Sequence, residues 1–155
     1  MISYAQNFED VILARVLKGI DNGFYVDVGA WDPTIDSVTK HFYDSGWCGI
    51  NIEPNPAYFA RLQTDRPRDI NLNCAISINT EERPFYVFDG TGVSTFDHAL
   101  SEHFKAYYSF SEITVPTRTL ADALTAARNE ISFLKVDAEG WEEQVLISGD
   151  WVKYR

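Results

Sequence analysis

Basic residues are scarce in this chain: 13 Lys and Arg stand against 23 Asp and Glu, a net charge of -10. So acidic a surface excludes a general affinity for nucleic-acid backbones or anionic lipid, which depend on accumulated positive charge. Cysteine is scarcer still, with only Cys48 and Cys74, too few for a disulfide framework. Each falls in a segment that reads as a strand, so both are expected to be buried free thiols in a reducing cytoplasm. The opening MISYAQNFED has neither the basic nor the apolar region of a secretory leader. No apolar run approaches the roughly 20 residues of a membrane span. His41, His98 and His103 lie in separate segments without ligand spacing, so no metal site is expected. Repeats, linkers and low-complexity tracts are missing too.

What is present is a globular composition, 45% hydrophobic and 14% aromatic over 155 residues. That length is expected to form one domain over residues 1–155 with a closed core. Ser3-Tyr-Ala-Gln6 reads as a capping box, and the helix after it is expected to bury Phe8, Val11, Ile12 and Val16. Phe24 to Val28 is an apolar run broken only by Asp27, the pattern of a strand covered on both faces. A helix over 36–45, a strand over 49–52 and a helix opened by Asn55-Pro56 follow. Ile70 to Ile76 alternates as a third strand.

The middle changes character. Phe85–Phe88 and Val93–Phe96 flank Asp89-Gly-Thr-Gly92 and predict a β-hairpin, its turn read as ordinary. Ile113–Val115 adds a short strand. Thr119 caps a helix carrying Leu120, Ala123, Leu124 and Ala127. Ile131–Val136 is a fourth core strand, followed by Asp-Ala-Glu-Gly140 and a helix from about Trp141. The β-α-β-α-β order predicts an α/β, doubly wound sheet. With four core strands and a last strand on an open edge, the sheet reads as truncated after the fourth strand and its helix.

Ligands of such sheets sit beyond the carboxyl ends of the strands. Those ends carry Asp27-Val-Gly29-Ala30, Glu53-Pro-Asn55, Asn73-Cys-Ala75 and Asp137-Ala-Glu139. Gly29 permits close approach of a ligand to the backbone. Glu53 is placed to accept hydrogen bonds from a ribose diol. A dinucleotide turn needs further glycines so that backbone N–H groups cradle a pyrophosphate. Here Gly29 is followed by Ala-Trp-Asp32-Pro33, and Asp27 and Asp32 are expected to disfavour an anion. S-adenosylmethionine carries a sulfonium and no phosphate, so an acid-lined cleft suits it. The competing expectation is that Asp27 and Glu53 only cap helix N-termini.

SYAQNFEDVIL, GFYVDVGAWDP, DSVTKHFYDSGWCGINIEPNP, RPRDINLNCAIS and FLKVDAEGWEEQVLISGDW together resemble the FkbM-type methyltransferases, in order and over essentially the whole chain. The resemblance implies a class I, Rossmann-like methyltransferase fold using S-adenosylmethionine and methylating a hydroxyl oxygen of a sugar or natural product. Carried over by position, it implies cofactor contacts from Asp27, Gly29, Ala30 and Glu53. Asn73, Cys74 and Ala75 fall beside the adenine, and Gln6 and Asp10 belong to a segment resembling a lid. Asp137 and Glu139 stand where methyl group and acceptor meet. Trp31 departs from the small or polar residue usual in the first loop, and the family's three further strands lie beyond these residues.

An alcohol is a weak nucleophile, so a base should take its proton during transfer. Asp137 is the first candidate and Glu139 the second; burial and neighbouring carboxylates would raise either pKa toward the useful range. The rival for Asp137 is a structural partnership with Lys135. His98 or His103 is a remoter candidate base, and Phe104 to Tyr108 offers a sugar-stacking surface or a plain helix face. Two further readings stay open, an NAD-dependent oxidoreductase or epimerase half-domain and a truncated, non-catalytic binding or interaction module.

Overall fold

The computed structural model describes residues 1–88, 90–127 and 130–154. Strand β1 (Phe24–Val28) is buried at every position and lies inside a four-stranded parallel sheet. Its neighbours are β2 (Cys48–Ile52) and β7 (Ile131–Val136), and β3 (Ile70–Leu72) pairs with the far side of β2. The order β3-β2-β1-β7 is the mixed α/β, Rossmann-like arrangement that the strand and helix alternation predicted.

Side chains alternate across the sheet. Phe24, Val26 and Val28 join Ile50, Ile52, Leu120, Leu124 and Val145 in one core. Tyr25 points the other way, to Phe42, Tyr43 and Trp47. Each fully buried side chain of this size contributes about 1.5–3 kcal/mol. On the first face lie α5 (Leu120–Leu124), capped by Thr119 Oγ1 on Asp122 N, and α6 (Glu142–Ile147). On the second lie α1 (Glu9–Val16) and α2 (Lys40–Asp44). Helix α3 (Pro56–Asp65) starts as its sequence predicts, with Asn55 Oδ1 accepting from Ala57 N at 3.0 Å.

The sequence reading needs correction in several places. Ser3 and Gln6 form no capping box; Ser3 Oγ and Tyr4 N donate to Asp10, and the helix begins at Glu9. Its inward face is Leu13, Ala14 and Leu17, leaving Phe8, Ile12 and Val16 exposed. The helix expected over 36–45 shrinks to α2 because Asp36 takes a left-handed φ of 52°.

The Ile70–Ile76 strand breaks in two. Asn73 Nδ2 donates to Glu53 O and Pro54 O, turning the chain out of the first sheet before β4 (Ala75–Ile76). Cys74, in the break, is buried, and burial pushes its thiol up to about 11; Cys48 lies in β2, half-buried.

A second sheet, β4-β6-β5, replaces the expected hairpin. β5 (Glu82–Phe88) runs antiparallel to β6 (Phe110–Arg118), which is much longer than Ile113–Val115. The 93–96 segment keeps one bridge to β5, Tyr86 to Thr95. Helix α4 (His98–Phe104) separates that segment from β6. Asp89 of the expected turn and Arg155 lie outside the described residues. No helix among the described residues is long and apolar enough to cross a membrane.

Candidate active site

A cleft of about 220 Å³ opens at the carboxyl ends of β1, β2 and β7, where the strand order reverses. Gly29 and Ala30 form its floor, Glu53 and Asn55 one end, and Asp137 to Glu139 the other. Ala75, Ile76 and Phe85 of the second sheet, with Gly92 to Ser94 and Phe96, form the roof. The loop read as an ordinary turn therefore contributes to the wall. Thr95 Oγ1 ties that roof to the β7 loop by donating to Glu139 O at 2.6 Å.

Gly29 is required by geometry rather than by a ligand. Its φ is +75°, and a Cβ there would lie 1.9 Å from Asp137 O. The close approach is made by the β7 backbone. The N–H groups of this loop are already committed. Gly29 N and Ala30 N donate to Ile52 O at 3.0 and 3.2 Å, and Trp31 N donates to Glu53 Oε2 at 2.8 Å. A pyrophosphate would find no free backbone amide among these three.

Glu53 is 5% exposed, and its other oxygen accepts from Asn55 N at 2.8 Å. Burial pushes its carboxyl up to about 7, against the pull of those two N–H groups and of Lys135. The capping expectation does not hold for Glu53: Asn55 caps α3, and of that helix Glu53 holds only the N–H of the cap residue. A carboxylate offers about four lone-pair sites, and two remain for a ligand.

The two acids expected to face a cation lie outside the cleft lining and are paired with cations of the chain, Asp27 with Lys135, which itself lines the cleft. Asp27, 1% exposed, accepts from Thr39 Oγ1 at 2.9 Å and pairs with Lys135 Nζ at 3.1 Å. Asp32, equally buried, accepts from Thr34 N and Ile35 N and pairs with Arg61 at 2.6 Å. The sequence shows the sign of a charge but not its partner. The acids that line the cleft are Glu9, Asp36, Glu53, Asp137 and Glu139.

Lys135 is the connecting cation, donating to Gly29 O at 2.6 Å and standing 3.8 Å from Asp137 Oδ2. Burial works against its charge, but Asp27 and then Asp137 outweigh it and hold the ammonium above the ordinary lysine value. Asp137 remains 61% exposed at the side chain. Glu139 is half-buried in a left-handed φ of 48°. Its carboxyl is raised by burial first, then by Asp137 and Glu142.

Of the remaining expected site residues, Gln6 and Ala75 line the cleft. Asp10, Asn73 and Cys74 do not: Asp10 holds the N-terminal turn, Asn73 the Glu53 loop, and Cys74 packs in the core. His98 is exposed on α4 beside Glu102. Among the described residues, no group of His, Cys, Asp and Glu is arranged to hold a metal. Sequence reasoning missed Tyr58 and Trp141, which also line the cleft. Trp31 and Trp141 each hold a buried indole Nε1 with no hydrogen-bond partner. An N-capped helix start after Glu53 and a tryptophan after Gly140 were the available signals.

Sheet order, switch-point cleft and an acid ending the second strand together define a Rossmann-like nucleotide- or nucleoside-binding protein. Family comparison narrows this class. A family model described as the methyltransferase FkbM domain matches residues 27–154, and the chain belongs to that family. Its members use S-adenosylmethionine as methyl donor, so the chain is an FkbM-family methyltransferase. Among curated proteins and among solved structures, no match to the chain is found.

Proposed function

We propose that the chain transfers a methyl group from S-adenosylmethionine to a hydroxyl oxygen of a carbohydrate or similar small hydroxylated acceptor. The observation that carries this is the division of the cleft. One end is a buried carboxylate with spare acceptor capacity, the other a pair of carboxyl groups open to an incoming molecule. The chemistry supplied by the donor is a sulfonium-activated methyl group.

Glu53 accepts from the ribose hydroxyls, while Gln6, Gly29, Ala30 and Ala75 line the space around the nucleoside and methionine moieties. Asp27 acts through Lys135, Asn73 through the backbone of Glu53 and Pro54, and Asp10 through the turn it caps. Cys74 packs behind Ala75. Asp137 is reachable from solvent and takes the proton of the acceptor hydroxyl. Glu139, whose carboxyl is already raised, is the second proton acceptor. A dinucleotide reading is disfavoured by the committed amides of Gly29, Ala30 and Trp31.

Calorimetry with S-adenosylhomocysteine, compared with NAD, tests the donor site. The wild-type chain should bind the former, and Glu53→Ala should lose most of that affinity. Unchanged affinity in Glu53→Ala would remove the assignment. A tritiated-methyl assay over neutral sugars, glycosides and uronic acids tests the acceptor: label in a base-stable ether supports a hydroxyl, whereas base-labile label on the uronic acids points to a carboxyl ester.

A further inference from the structure

The loop after β7 carries adjacent left-handed residues, Glu139 at φ 48° and Gly140 at φ 88°. Glycine enters that region freely, whereas glutamate does so at a cost. Such a residue stays left-handed only where its surroundings over-determine it, and here both of its flanks are held. Thr95 Oγ1 donates to Glu139 O at 2.6 Å. Glu142 Oε1 accepts from Ala138 N at 2.9 Å, and Glu142 Oε2 accepts from Gly140 N at 3.1 Å. Helix α4 closes the outer side, where a Cβ on Gly140 would stand 2.6 Å from Leu100 Cδ1.

Thr95 can hold this loop because it is itself fixed. It is fully buried, exchanges both backbone hydrogen bonds with Tyr86 of β5 at 3.0 Å, and its hydroxyl accepts from Asp97 N at 2.9 Å. The second sheet thereby reaches across the roof to the acceptor end. What these contacts preserve is the direction of one side chain. The Cα–Cβ bond turns with the backbone, so a return to the ordinary φ of about −60° would swing the Glu139 carboxyl away from its place. Glu139 lines the cleft, half-buried, and its carboxyl receives no hydrogen bond from any described residue. Glu53 and Glu142, by contrast, spend their oxygens on backbone N–H groups. We propose that Thr95 and Glu142 are positioning residues, which hold Glu139 left-handed so that its free carboxyl faces the acceptor hydroxyl. The inference rests on the acceptor end proposed above and says how the second proton acceptor is held there.

The test measures methyl transfer to the neutral glycoside that takes most label in the tritiated-methyl assay, and S-adenosylhomocysteine affinity by calorimetry. Thr95→Val keeps the branched shape and removes the donor, so kcat should fall about tenfold with that affinity unchanged. Thr95→Ser, which carries the hydroxyl, should recover most of the loss. Placed on Glu139→Gln, Thr95→Val should cost nothing further, because the carboxyl it positions is gone. If Thr95→Val does not fold, Glu142→Ala goes through the same cycle with the same expected losses. An equal loss in both backgrounds means a general disturbance of the loop and overturns the inference. An unchanged kcat in Thr95→Val, or in Glu139→Gln alone, does the same, and each of these results leaves hydroxyl methylation through Asp137 standing. Absence of base-stable label from the wild-type chain overturns the inference together with the acceptor assignment.

Discussion

At one end of the cleft Glu53 is 5% exposed and bonded to two backbone N–H groups; at the other, Asp137 is 61% exposed at its side chain and 3.8 Å from Lys135. The first end is built before any ligand arrives, its carboxylate held by its own loop and by the β1 loop. The second is open, with Lys135 and the Glu139 carboxyl as charged neighbours and room for an acceptor. A binding group gains from being fixed in advance, because no ordering remains to be done on association. A proton acceptor must instead be reachable by a second molecule. The contrast in burial therefore follows the two tasks assigned to the ends.

The largest expected effect belongs to the open end. Asp137→Asn should lower the methyl-transfer rate by ~10²–10⁴ while calorimetry shows S-adenosylhomocysteine affinity unchanged. Lost affinity would make Asp137 a donor-binding residue and erase the division. Next is the contact joining the ends. Gly29→Ala would set a Cβ 1.9 Å from Asp137 O at a φ of +75°, and denaturant unfolding should show a loss of roughly 2–4 kcal/mol. A neutral result would mean that the β1 and β7 loops are not clamped together.

The closed end should reveal itself through pH. Glu53 ionises at about 7 when folded, against 4.5 for an ordinary glutamate. Below that ordinary value the residue is protonated in both states, and its stabilising preference for the proton is fully present. As pH rises from there through 7, the unfolded chain releases the proton first and this stability is lost, on the order of 3 kcal/mol. Glu53→Gln should lack that part of the slope in urea unfolding measured from pH 4 to 8. Coincident slopes would show that the carboxyl is not shifted by burial. The smallest effect is expected outside the cleft: Arg61→Ala, half-exposed, should cost about 1 kcal/mol or less in the same assay, since Asp32 keeps two N–H donors.

Much of the frame was legible because its signals are local. The apolar run of β1, the Asn55-Pro56 start of α3 and the Thr119 cap of α5 each depend on a few adjacent residues. What escaped depends on distant partners. Alternation continues through Asn73, and only its bonds to Glu53 O and Pro54 O split the strand. The sequence around Gly90 to Gly92 favoured a local hairpin, but β5 took β6 instead. On α1, Phe8, Ile12 and Val16 recur at the same spacing as Leu13 and Leu17, so periodicity could not choose between the faces. For the cleft, strand-end residues Gly29, Glu53 and Asp137 were readable from topology. The pairing of Asp27 and Asp32 with Lys135 and Arg61 was not, nor was the unmet indole of Trp31.

The neighbour relation of β1 and β7 also bears on how the molecule comes into being. Lys135 reaches Gly29 across 106 residues of sequence, whereas β1 and β2 are joined by a short helical crossover. Closing so long a loop carries an entropic cost that must be met before the contact returns anything. Pairings of that separation slow folding. The β1-β2-β3 half can assemble early, with Glu53 at its edge. The floor at Gly29 and the carboxylates of the β7 loop come together only when the last long-range pairing forms, so competence for chemistry should arrive late in refolding.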